Sequence, residues 1–332
     1  MDLYHSSPSH LQKQHRRDAP QVSFVRAESD SRSSVPPVTL RDLTQSITKV
    51  GDYPVARGGF GEIWKCTYQT DQGPITVAVK SLLFYASDQL DGAMEKKTKR
   101  IRREIRTCAR LKHDNILPVY GYTHGFDLFM TMVSPWADNG NLTTYLERQD
   151  AHLTMVRRFQ ILGDITNGLQ YLHANNVIHG DLTGPNVLIH GDGTACLADF
   201  GLSLVYSEAM STSLASWSSA FHGNFRWLAP ELLGEPDNEL PTRPSKYSDI
   251  YSFGGIMLHV LTSKTPYYYL RDAAVIQRIG IGAKPLRSRY PVLSDEYWTL
   301  IEECWSTATQ DRPSAEGIAR VIRDELDSLS RS

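Results

Sequence analysis

The residues of this chain that could do chemistry start at a glycine-rich stretch, Ala56-Arg57-Gly58-Gly59-Phe60-Gly61. Glycines let backbone amides approach an anion without side-chain obstruction, so such a loop suits phosphates. A dinucleotide site uses the same device, but there the loop opens a helix inside a βαβ unit. Here Glu62-Ile63-Trp64 continues as a strand. Alone the loop is weak evidence; its weight comes from the residues that succeed it in a fixed order. Val77-Ala78-Val79-Lys80 places a lysine on an alternating strand, and Glu104 lies on the next helical stretch. His179-Gly180-Asp181-Leu182 comes next, with Asn186 five residues beyond Asp181, then Asp199-Phe200-Gly201 and Ala229-Pro230-Glu231. Taken singly, Lys80 and Glu104 could be an ordinary ion pair, Asp199 a turn residue before glycine, and Asn186 a cap.

The elements that must position these residues are read from periodicity. Order is expected from Leu40, where Leu40, Leu43 and Ile47 recur at helical spacing. Asp52 to Trp64 predicts strand, glycine loop and strand, and Ile75 to Lys80 a further strand. Glu95 to Leu111 predicts a helix with seven basic residues between Lys96 and Arg106. That run is a solvated face opposite Ile101 and Ile105, or a surface that recruits an acidic partner. Leu117 to Val133 predicts two strands around a turn at residues 123–127. Beyond Asn139-Gly140-Asn141 the pattern turns helical, over Leu142–Leu146, Met155–Leu172, Tyr247–Thr262 and Trp298–Trp305. A short β-rich half followed by a larger α-rich half is an α+β, two-lobed plan.

The ordered set of motifs resembles the eukaryotic protein kinase catalytic domain from about Gly51 to Leu326. Ser248-Asp249-Ile250-Tyr251-Ser252-Phe253-Gly254 and Asp311-Arg312-Pro313 add to it. Arg226-Trp227-Leu228-Ala229-Pro230-Glu231 resembles the tyrosine-kinase-like branch of Ser/Thr kinases, including fungal members. The resemblance implies a bilobal kinase fold, with a β-rich N-lobe over 51–134, a hinge over 135–137 and an α-helical C-lobe over 138–328. Residues 40–50 would be a lead-in. It implies ATP and Mg²⁺ as cofactors and transfer of the γ-phosphate to protein Ser or Thr hydroxyls rather than Tyr. Phosphoryl transfer asks the protein for positioning and charge stabilisation. Lys80 would hold phosphates, with Glu104 fixing its ammonium. Asp199 and Asn186 would be the metal ligands, since Mg²⁺ prefers carboxylate, amide and water oxygens. Asp181 would orient the substrate hydroxyl or accept its proton. Gly58, Gly59 and Gly61 would cover the phosphates. Ser134 would guard the back of the adenine pocket, Pro135 and Ala137 would offer backbone groups to the base, and Val55 or Ile63 with Ala78 would sandwich it. Asp249 would anchor the catalytic loop, and Arg312 would pair with Glu231.

Four positions depart from the family pattern. Ala56 stands at the usual first loop glycine, and Gly180 at the arginine that normally pairs with a phosphorylated activation loop. Thr183 stands at a lysine that contacts the γ-phosphate, and Asn224 at a threonine that bonds the catalytic aspartate. Loss of a preorganised donor can cost on the order of 10²–10³ in rate, so an ATP-binding pseudokinase scaffold is the alternative reading. Leu202 to His222 would be the activation loop, rich in Ser and Thr, serving autophosphorylation or merely a flexible serine-rich connection.

Composition bounds the rest. The chain has 332 residues, 35 Lys and Arg against 37 Asp and Glu, and a net charge of −2. That balance gives no electrostatic argument for nucleic acid or an anionic membrane. No apolar run is long enough to span a bilayer, so no membrane insertion is expected. Residues 1–39, rich in Ser, His and Gln, predict a disordered arm, and His5, His10 and His15 fit no metal pattern. Cys66, Cys108, Cys196 and Cys304 are scattered, which favours thiols in a reducing cytoplasm.

Overall fold

The computed structural model describes residues 39–58, 61–82, 93–126, 130–200, 224–233 and 243–331, with residues 58, 82, 93–97, 100, 103, 104 and 224 described in their backbone only. The predicted arm, Gly59 and the predicted activation loop lie outside the described residues.

The first half of the described chain is a six-stranded sheet. Its strands are β1 (Ile47–Lys49), β2 (Ala56–Gly58), β3 (Gly61–Thr70), β4 (Gly73–Leu82), β5 (Gly121–Thr123) and β6 (Thr131–Pro135). They run in the order β1-β3-β4-β6-β5, with β2 paired to β3, and every pairing is antiparallel. Between β4 and β5 runs helix α1 (Ala93–Arg110). The strict alternation of β4 fixes its two faces. Val77 and Val79 are fully buried beside Trp64, Cys66 and Val133, which form one apolar cluster. Ala78 and Lys80 therefore point to the opposite face. Register places Ile63 and Met132 opposite Lys80, and Ser134 opposite Ala78. Directly opposed residues share a face, so Ile63, Ala78, Lys80, Met132 and Ser134 line one side of the sheet.

The second half is helical: α2 (Leu142–Gln149), α3 (Met155–Ala174), α4 (Lys246–Thr262), α5 (Asp272–Gly280), α6 (Asp295–Cys304) and α7 (Ala315–Leu329). A hairpin of β7 (Val187–Ile189) and β8 (Ala195–Leu197) sits among them. Helix α4 is apolar all round and buried along almost its whole length, as a central core helix must be. It begins at a capping box between Ser245 and Ser248. Its Gly254 lies so close to Trp305 that an added Cβ would fall 2.8 Å from the indole nitrogen.

Three expectations need correction. Helical spacing at residues 40–47 gives only a single 3₁₀ turn, Thr44–Ser46, because Ile47 is captured by β3 opposite Tyr68. Ala56 to Gly58 forms a strand rather than part of the glycine loop, since all three residues pair with β3. The stretch 117–133 supplies shorter strands than expected, only Gly121–Thr123 and Thr131–Pro135.

Candidate active site

The hairpin explains how two distant metal-ligand candidates meet. Its strands are antiparallel, with Val187 opposite Leu197, so the residue before β7 and those after β8 emerge side by side. Asn186 precedes β7, Asp199 lies two residues beyond β8, and Ala198 N–H donates to the Asn186 carbonyl at 2.9 Å. Asn186 ends a 3₁₀ turn, Gly184–Asn186, whose Pro185 supplies a preset φ. Its amide nitrogen donates to both the Asp181 carbonyl, at 2.8 Å, and the Asp181 carboxylate, at 2.7 Å. This turns the amide oxygen away from Asp181, and no donor among the described residues takes it.

Asp199 sits at φ +60°, a left-handed conformation uncommon outside glycine and found where a site over-determines the backbone. Its carboxylate pairs with the ammonium of Lys80, and both side chains are largely buried. The sheet face that carries Lys80 thus delivers its one cation to the acid beyond β8. Burial pushes the Asp181 carboxyl up to about 7; the Asn186 hydrogen bond opposes this and the charge of Asp199 adds to it. A carboxyl poised near neutrality suits proton acceptance from a hydroxyl.

A second acid holds the loop that carries Asp181. Asp249, near the start of α4, is 1% exposed. Its carboxylate accepts from the His179 N–H at 2.9 Å and the Gly180 N–H at 2.8 Å, and lies 2.8 Å from His173 Nε2. Gly180 adopts φ +78°, which brings its N–H onto the carboxylate. Burial keeps the imidazole of His179 below its usual range, and the edge of its ring meets Phe200 at 6.3 Å between centroids. Farther down, Arg312 forks onto Glu231 at 2.6 and 2.9 Å and also donates to the Tyr247 carbonyl at 3.0 Å.

The structure therefore brings Lys80, Asp181, Asn186 and Asp199 together. Ile63, Ala78 and Ser134 line the face that carries Lys80, with Ser134 buried. Pro135 ends β6, Ala137 is buried, and its carbonyl accepts from Gly140 N–H at 3.0 Å. Gly58 pairs with Gly61 at the tip of the β2–β3 ribbon, and Val55 is half exposed just before it. The Lys80–Glu104 pairing lies outside the described side chains; Asp199 is the partner the structure places on Lys80. Thr183 is 2% exposed, and its hydroxyl has no hydrogen-bond partner among the described residues. Burial pushes the Cys196 thiol up to about 12, and its sulfur contacts the Asp114 carbonyl, an inert arrangement.

Sequence reasoning missed His173 and Lys246. Lys246 Nζ donates to the His173 carbonyl at 2.6 Å, so the pair ties the end of α3 to the start of α4 beside Asp249. The available signal was a histidine closing a buried helix, six residues before His179.

The geometry gathers a lysine, two aspartates and an asparagine on a bilobal α+β frame. The sequence signature of the protein tyrosine and serine/threonine kinase family matches residues 51–322, and the chain belongs to that family. Its Ser/Thr kinase relatives put it with the tyrosine-kinase-like group. It is 31% identical over 283 residues to serine/threonine-protein kinase CTR1 of Arabidopsis thaliana, covering 82% of this chain and 31% of that protein. It is 26% identical over 276 residues to serine/threonine-protein kinase STY46 of the same plant, covering 82% and 43%. To the RAF proto-oncogene serine/threonine-protein kinase of Xenopus laevis it is 26% identical over 283 residues, covering 83% and 40%. The chain thus spans less than half the length of each of these relatives. No helix among the described residues is long and apolar enough to cross a membrane.

Proposed function

We propose that the protein is an ATP-dependent Ser/Thr protein kinase of the cytoplasm, with protein substrates and no nucleic-acid partner. The observation that carries this reading is the convergence of Lys80, Asp199, Asn186 and Asp181, drawn from separate segments of the chain, at one place. The N-lobe would run over 51–134, the hinge over 135–137 and the C-lobe over 138–328.

The donor set fits a magnesium ion. Asp199 offers a carboxylate, and Asn186 an amide oxygen that no described residue uses, both hard oxygen ligands. When bound, Mg²⁺ would neutralise negative charge on the phosphates. Lys80 would hold the phosphate chain, with Glu104 the further partner that the family resemblance implies. Gly58 and Gly61 would present backbone to the phosphates, as the resemblance also implies for Gly59. Val55 or Ile63 with Ala78 enclose the base, Ser134 leaves space behind it, and Pro135 and Ala137 meet its edge. Asp181, near neutrality and held by Asn186, receives the hydroxyl's proton. The Ser/Thr preference rests on the names that the relatives carry.

The test is transfer of labelled phosphate from Mg·ATP to the protein itself or to a generic substrate, followed by phosphoamino-acid analysis. Asp181→Asn should reduce transfer by at least about 10²-fold. Unchanged turnover in that variant would sink the assigned roles. Phosphotyrosine as the sole product would overturn the Ser/Thr assignment.

A further inference from the structure

Away from the phosphotransfer site, the loop after α5 is built as a rigid platform. Three consecutive tyrosines grip it by their phenols. Tyr267 donates to the Ala283 carbonyl at 2.7 Å, Tyr268 donates to the Arg289 carbonyl at 3.0 Å, and the Leu286 N–H donates to Tyr269 Oη at 2.9 Å. Tyr290, 1% exposed, closes the far end; its phenol accepts from the Tyr267 N–H at 2.9 Å. Pro285 and Pro291 restrict the backbone between these ties.

What this platform displays is unusual for a surface with no partner. Ile281 is 76% exposed, Val292 78% and Leu286 49%. A loop pinned at three points could have turned such side chains inward; here they face water. Between residues 265 and 292 the chain carries five cations, Arg271, Arg278, Lys284, Arg287 and Arg289, and one carboxylate, Asp272. Asp272 is already taken by Arg226 at 2.6 Å. Arg287 is spent on backbone carbonyls and Asp295. No carboxylate among the described residues pairs with Arg271, Arg278, Lys284 or Arg289. The Arg289 guanidinium lies over the Tyr269 ring at 5.2 Å, which fixes its plane and leaves its N–H edge for a carboxylate. In a chain of net charge −2 this is a concentrated positive field interleaved with exposed aliphatics.

We infer that the 281–292 platform docks an acidic segment carrying aliphatic side chains, contributed by the protein substrate at a distance from its phosphorylated residue. The substrate part of this statement rests on the kinase reading above; the docking chemistry does not. Carboxylates meet Lys284 and Arg289, and aliphatic groups cover Leu286 and Ile281. The pinned backbone loses little freedom on binding, which favours affinity. A bilayer would take a continuous apolar face along a helix, whereas here the exposed aliphatics sit on a loop interrupted by Pro285 and Pro291.

The experiment is fluorescence anisotropy of the full chain with a short labelled peptide in which glutamates flank leucines, beside a control with lysines replacing the glutamates. The acidic peptide should bind, weaken as salt rises, and bind at least about ten-fold more weakly to Arg289→Glu and to Leu286→Ser. Both variants should melt like the parent and phosphorylate a short substrate lacking the acidic segment at the parental rate. Equal binding of the lysine peptide, or undiminished binding by both variants, would overturn the inference. So would binding confined to phosphatidylserine vesicles, or self-association that Leu286→Ser abolishes. If the peptide binds as stated while the parent transfers no phosphate, docking stands and the kinase reading fails. If transfer proceeds and the acidic peptide does not bind, the reverse holds.

Discussion

At the scale of single residues, Gly180 and His259 carry consequences that the motif pattern alone does not give. Gly180 occupies the place of a family arginine, and its φ of +78° adds a second reason for glycine there. A left-handed backbone costs a residue with a Cβ about 1–2 kcal/mol. Gly180→Ala should therefore lower unfolding stability by about that much in urea titration; a neutral result would contradict the left-handed backbone. His259 is buried in α4 and burial depresses its imidazole to about 3 from an ordinary 6.5. Folded, it stays neutral; unfolded, it takes up a proton below 6.5. Its contribution is thus fully present above pH 6.5 and is lost as pH falls toward 3, at roughly 1.4 kcal/mol per pH unit. By pH 5 the loss is on the order of 2 kcal/mol. His179, depressed for the same reason, titrates in the same direction. His259→Leu should flatten part of the stability drop between pH 7 and pH 5, and an unchanged slope would rule the effect out.

At the scale of elements, the loop that carries Asp181 is held by a helix as well as by its own Asn186. Asp249 on α4 satisfies two backbone N–H groups of the loop and meets His173 from α3. Asp249→Asn keeps the shape but turns one acceptor into a donor facing donors. Each buried group left unsatisfied costs about 1–3 kcal/mol. The variant should lose stability on that scale, and the amides of His179 and Gly180 should lose hydrogen-exchange protection ahead of those of α4. Uniform loss across the fold would mean Asp249 supports the core and not the loop. The same contrast shows what the sequence could tell. Lys80, Asp181, Asn186 and Asp199 were legible because phosphate and metal chemistry restrict side-chain type and their order along the chain is distinctive. The faces of β4 were legible because Val77 and Val79 alternate with Ala78 and Lys80. Periodicity reports a face but never the partner across it. Hence the Lys80–Asp199 pairing, 119 residues apart, the His173–Asp249 contact, 76 apart, and the tyrosine grip on residues 283–289 emerged only in three dimensions. Leu40, Leu43 and Ile47 misled for a related reason: pairing with β3 overrode local helical spacing.

At the scale of the whole molecule, the candidate site joins two halves that are otherwise built on separate apolar clusters. The cluster around Trp64, Val77 and Val133 belongs to the sheet, and the large one around α3 and α4 to the helical half. Lys80 comes from the first and Asp199 from the second, and they meet as an ion pair. A nucleotide held by both would bind only the folded arrangement, and such a ligand stabilises by RT ln(1 + [L]/Kd), about 2.7 kcal/mol at a hundred-fold excess over Kd. For a chain of this size that corresponds to a rise in Tm of very roughly 4 °C. Mg·ATP should produce that rise in a thermal melt, and ATP with a chelator should produce a smaller one, since on the proposed reading the oxygens of Asn186 and Asp199 would act through the metal. The variants separate binding from transfer. Lys80→Met removes the cation proposed to hold the phosphates and should abolish the rise. Asp181→Asn leaves Lys80 and Asp199 in place, relieves a carboxyl that burial disfavours in its charged form, and should retain the rise while losing transfer. A rise insensitive to Lys80→Met would place the nucleotide elsewhere. A rise lost equally in both variants would mean that Asp181 holds the nucleotide and does not serve the acceptor hydroxyl.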